Sequence, residues 1–108
     1  MQEDQLLARQ KYVKVEREMS SIAMENVEYE RWLLLYEDRL VTHRREFPAE
    51  QIFDMSYRRM PSAEALLYVH TSRGVYSYNV KEDPDAFIEA FKKLEKRILE
   101  KEAKKYDK

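Results

Sequence analysis

The chain predicts an α+β domain that is mainly β: six to seven antiparallel strands closed by one carboxy-terminal amphipathic helix. Three observations carry that prediction. Two tyrosine-rich runs, Leu66–Thr71 and Val75–Val80, flank the only glycine, Gly74, as the arms of a hairpin flank its turn. The apolar run Trp32–Tyr36 stops at Glu37-Asp38 and resumes at Leu40-Val41, which reads as a second hairpin. Asp83-Pro84 then opens a segment in which Phe87, Phe91, Leu94 and Ile98 recur at helical spacing.

Taken in order, residues 1–10 offer only Leu6-Leu7-Ala8 as apolar material and read as a flexible lead-in. Tyr12–Arg17 alternates with period two, a half-buried strand with Val13 and Val15 inward. Ser20–Glu30 mixes Ile22, Met24, Val27 and Tyr29 with three glutamates, and a loop, a short strand or the start of a longer strand all fit. Phe47-Pro48 interrupts pairing, because proline offers no backbone N–H. Ile52–Arg59 resumes alternation, with Phe53, Met55 and Tyr57 on one side and Asp54, Ser56 and Arg58 on the other, and Met60–Glu64 is a loop. In the helix, Asp83 is the N-cap, Pro84 the first helical position and Asp85 a favourable charge at the positive dipole end. Its apolar stripe needs the sheet as partner, a burial worth on the order of 6–10 kcal/mol of gross transfer energy. Beyond Leu99 the helix has almost no apolar face. The expected division is therefore a lead-in over 1–10, the domain over 11–99 and a solvated helix end over 100–108.

Composition narrows the function classes. A chain of 108 residues with 44% hydrophobic content builds one compact core. A net charge of −1 with interleaved acids and bases gives no footprint for nucleic acid. The absence of cysteine excludes disulfides, thiolate catalysis and Cys-type zinc sites, and fits a cytoplasmic location. The longest apolar run, Trp32–Tyr36, falls far short of the roughly 20 residues that span a bilayer, so no membrane insertion is expected. One glycine permits no glycine-rich phosphate loop, and no serine stands in a nucleophile-elbow context. No catalytic residue, cofactor or metal is expected.

Together these elements resemble the small bacterial pleckstrin-homology-like domains. The resemblance is carried by Leu34-Leu35-Tyr36-Glu37-Asp38-Arg39-Leu40-Val41, similar to that family's strand, acidic turn and Arg-Leu-aliphatic return. Phe47-Pro48-Ala49-Glu50-Gln51-Ile52 is similar to its entry into the following strand. The likeness continues through Leu66–Val69, Tyr76–Val80 and the Phe87–Leu94 helix face, covering about residues 31–98. It implies a barrel capped by the terminal helix, and a platform for phosphoinositides, peptides or proteins.

Lys14 and Arg17 are the residues from which a phosphate site of that family would start, but Glu25, Glu28 and Glu30 follow and would form a repulsive rim. Residues 31–80 hold seven arginines and no lysine, including Arg44-Arg45 and Arg58-Arg59, and arginine's planar fork suits carboxylate or phosphate. Strand alternation would split each pair between faces, and Glu37, Asp38, Glu46 and Glu50 lie close enough in sequence to neutralise them. The candidate partner-binding residues are therefore Lys14, Arg17, Arg44, Arg45, Arg58 and Arg59. His43, Asp54 and His70 would fall in one cross-strand row if the registers follow the simplest loops. Tyr57, Tyr68, Tyr76 and Tyr78 sit at core positions, whereas Tyr12, Tyr29 and Tyr106 are placed for surface contacts. The reading that results is a non-enzymatic module binding a protein or peptide along a sheet edge or beside the helix. A self-associating homo-oligomer is the alternative, and an anionic lipid or phosphate binder a weaker third.

Overall fold

The computed structural model describes residues 5–19 and 22–106. It is mainly β, with seven strands and one helix in the order β1 (Leu6–Met19), β2 (Met24–Tyr36), β3 (Arg39–Val41), β4 (Glu46–Pro48), β5 (Ile52–Arg59), β6 (Ala65–Thr71), β7 (Gly74–Val80) and α1 (Asp85–Tyr106). All pairings are antiparallel, in one sheet of order β4-β3-β2-β1-β7-β6-β5. The sheet is not closed into a barrel. Strand β4 is three residues long and ends at Pro48, which lacks the N–H that further pairing needs, and a 3-10 turn at Ala49–Gln51 carries the chain away to β5. Helix α1 covers the core face instead, burying Phe87, Ile88, Phe91 and Leu94 against Leu33, Leu35, Leu40, Met55, Leu67 and Val69.

The local predictions for the hairpins and the helix start hold. Leu35 pairs with Leu40 across the Glu37-Asp38 turn, and Thr71 with Gly74 across Ser72-Arg73. Gly74 has φ 129°, a conformation that side chains rarely adopt, so its place at this turn follows from its missing Cβ. The Asp83 carboxylate accepts the Asp85 N–H at 3.0 Å, and the Pro84 carbonyl accepts the first helical bond, from the Ile88 N–H, at 2.9 Å.

Several expectations need correction. Residues 6–10 belong to β1, not to a lead-in, because β1 pairs along β2 from Leu6 to Met19. Of the three alternatives for the glutamate-rich segment, the start of a longer strand holds, from Met24 into Tyr36. Phe47-Pro48 pairs with β3 as an edge strand, where proline is tolerated. Val15 is exposed and Tyr12 is buried in its place, since the inward parity of β1 is Ala8, Gln10 and Tyr12. A bulge between Ile52 and Asp54 turns Phe53 outward, leaving Ile52 and Met55 in the core. Tyr57, Tyr76 and Tyr78 pack only partly buried against the core, and Tyr68 is half-buried on the opposite face of the sheet.

Candidate functional site

The sheet divides at its centre. Strand β1 meets β7 at a single pair, Val13 and Asn79, and beyond it the strands part. From Lys14 to Met19, β1 pairs with β2 alone, as a two-stranded ribbon on the order of 20 Å long. From Gly74 to Tyr78, β7 pairs with β6 alone. Between the diverging strands opens a cleft of about 580 Å³. Its walls include the consecutive β1 residues Val13–Glu16 and the consecutive β7 residues Ser77–Asn79. Consecutive strand residues point to opposite faces, so a cleft that touches all of them is bounded by the strand edges themselves. Each edge therefore presents backbone groups to the cleft with no strand opposite.

The third wall is the turn between β3 and β4. Thr42 organises it: its N–H donates to the Arg45 carbonyl at 2.8 Å, and its hydroxyl oxygen accepts the N–H groups of Arg45 at 2.9 Å and Arg44 at 3.3 Å. A hydroxyl that satisfies two turn amides makes a compact loop from which His43, Arg44 and Arg45 reach the cleft. The His43 N–H donates to the Tyr12 hydroxyl at 3.4 Å, tying the turn to β1. Tyr12 packs edge-on to Tyr78, ring centroids 4.9 Å apart, and forms the floor. Burial pushes the Tyr78 phenol up to about 12, with Tyr12 adding to the rise, so it is a neutral hydrogen-bonding group at physiological pH.

Positive charge dominates the lining. Lys14, Arg31, Arg44 and Arg45 face the single carboxylate of Glu16, which lies 4.0 Å from Arg44. Arg45 also stacks over Tyr76 at 4.7 Å, which holds its guanidinium plane without consuming its charge. Neither reason for expecting neutralised charge operates here. Arg44 and Arg45 sit in a turn, where strand alternation does not separate them. The nearby acids are engaged elsewhere: Asp38 and Glu46 bind Arg39 at 2.7 and 2.8 Å, and Glu37 approaches Arg97 at 3.9 Å. The expected repulsive rim is also displaced, because Glu28 and Glu30 point to the opposite face, to Lys81 at 2.8 Å and Lys11 at 3.1 Å. The Glu28 hydrogen bond raises the Lys81 pKa above its ordinary value.

The six candidate residues thus separate. Lys14, Arg44 and Arg45 meet in the cleft, joined by Arg31 and His43. Arg17 lies out on the ribbon opposite Asn26. Arg58 and Arg59 end β5, where Arg59 binds Asp83 at 3.1 Å and lies over Tyr57. The His43–Asp54–His70 row does not form: Asp54 stands opposite His70, whose ring bonds Ser56 at 2.9 Å, but His43 is in the distant cleft. Among the described residues, no cluster of three or more histidines and carboxylates is placed to hold a metal ion. No helix among them is long and apolar enough to cross a membrane.

No family model, curated protein or solved structure matches the chain.

Proposed function

We propose that the protein is a non-enzymatic, cytoplasmic binding module of pleckstrin-homology-like type, which takes an extended acidic segment of a protein partner in the cleft between β1 and β7. One observation carries this reading: two free strand edges and four cationic side chains line the same cleft, against one carboxylate. An extended segment laid along β7 would gain backbone hydrogen bonds as an added strand. Its Asp and Glu side chains would meet Arg44 and Arg45, whose guanidinium groups bind carboxylates through paired N–H donors. The cleft volume lies within the range of about 300–1,000 Å³ common to ligand pockets. Seven antiparallel strands followed by one helix support the pleckstrin-homology-like assignment, from which the open sheet departs.

A phosphate headgroup would use the cations but not the strand edges. The ribbon beyond the cleft, which carries Glu18 and Glu25 at paired positions, would also meet an anionic bilayer with repulsion. These points favour the peptide. Selection of a random nonapeptide library on the wild-type domain, with counter-selection on Arg44→Glu/Arg45→Glu, tests the choice. Enrichment of acidic peptides that lose binding in the variant is expected. Enrichment with no acidic bias, or none at all, refutes the reading. Sedimentation with phosphoinositide vesicles that depends on the same two arginines would replace the peptide by a membrane.

A further inference from the structure

The other end of the three-stranded half carries a second unfilled edge. Strand β5 is last in the sheet and pairs with β6 alone. The opposite edge strand, β4, is blunted by its three-residue length and Pro48, whereas Asp54–Arg59 forms a regular run after the bulge, with neither proline nor lysine to discourage pairing. On one face of that run stand Asp54, Ser56 and Arg58. Asp54 and Arg58 are exposed and have no ion-pair partner among the described residues. They stand four positions apart along the strand, on the order of 13 Å, so they do not pair with each other.

They are, however, equidistant from Ser56. We infer that β5 pairs antiparallel with β5 of a second copy of this chain, about a twofold axis through Ser56. In that register Asp54 of each copy faces Arg58 of the other, giving two ion pairs from one self-complementary edge. Met55 faces Tyr57, and Phe53, which is 61% exposed in the single chain, faces Arg59. Charge also selects the register, because a twofold through Asp54 or Arg58 would set like charges directly opposite. The contact is closed by its twofold: it fills both β5 edges, so pairing through this edge stops at two copies.

Sedimentation velocity over a concentration series up to the millimolar range tests this on the full chain. The wild type is expected to show a monomer–dimer equilibrium. Asp54→Arg and Arg58→Asp should each raise the dissociation constant about tenfold or more, since each reversal acts twice and replaces attraction by repulsion. The double variant Asp54→Arg/Arg58→Asp restores both pairs and should return to within about threefold of wild type. All three variants change exposed residues, and circular dichroism and the urea midpoint establish that they fold. A wild type that stays monomeric, single variants that dimerise as well as wild type, or a double variant that fails to recover would each overturn the inference.

Discussion

Replacing Phe91 by alanine tests the packing of α1 on the sheet, because Phe91 is completely buried at the centre of the helix stripe. A buried aromatic removes about 150–200 Å² from water, worth about 4 kcal/mol gross at about 25 cal/mol/Å². Alanine keeps part of that area, but the vacated space adds a cavity cost. Collapse is opposed because Phe87 and Leu94 anchor the helix on either side of the gap. The expected loss is about 3–5 kcal/mol, against a total stability of about 5–15 kcal/mol for a domain of this size. At a urea slope of about 2 kcal/mol/M, a loss of about 4 kcal/mol lowers the midpoint by about 2 M. The measurement is urea unfolding followed by circular dichroism, with Leu99→Ala as the control. Leu99 is 58% exposed and its replacement should change stability by no more than about 0.5 kcal/mol. Equal midpoints for wild type and Phe91→Ala would refute the packing argument.

Two further outcomes concern pH. The folded-state pKa of Asp83 is lowered, chiefly by the hydrogen bond from the Asp85 backbone N–H and also by Arg59, so its stabilising contribution is present above the unfolded carboxyl value and lost as pH falls through the folded one. Asp83→Ala should lower the urea midpoint at pH 7, and the gap to wild type should shrink below about pH 4; a gap unchanged in acid would show that the carboxylate charge is not involved. Tyr78 is raised, chiefly by burial, so the stability linked to its protonated form is intact below about pH 10 and drains as pH rises toward about 12. Tyr78→Phe should flatten that alkaline decline, and equal slopes for the two proteins would remove Tyr78 as its cause.

What the sequence disclosed was local. The helix start, the turn at Gly74 and the Trp32–Tyr36 hairpin depend on neighbours in the chain, and each stands where its residues indicate. Parity was harder. Whether Val15 or Tyr12 faces the core depends on which strands flank β1, and Phe53 faces out because one bulge breaks the count. The cleft was least legible, since it arises where β1 and β7, more than 60 residues apart, pair once and diverge. One signal was available in advance. Thr42 lies three residues before Arg45, the spacing at which a hydroxyl caps a turn, and a turn keeps Arg44 and Arg45 on one side where a strand would part them.

A chain of net charge −1 holds a cationic cleft because acids close to it in sequence are paired elsewhere. Glu28 and Glu30 serve Lys81 and Lys11, Asp38 and Glu46 serve Arg39, and Asp83 serves Arg59. Exposed pairs of this kind contribute little stability, typically below about 1 kcal/mol each, so their larger consequence is to decide which charges remain uncommitted. The cations of the cleft and the Asp54/Arg58 couple border the two free edges of the same β7-β6-β5 unit. In a dimer formed through β5, six strands would lie between the two clefts, and five inter-strand spacings set the two β7 strands that border them about 24 Å apart. A partner carrying two acidic segments on a linker matched to that span would be held at both ends, and its second engagement would be intramolecular. Each edge would then have a separate task, β7 choosing the ligand and β5 setting how many clefts it meets at once.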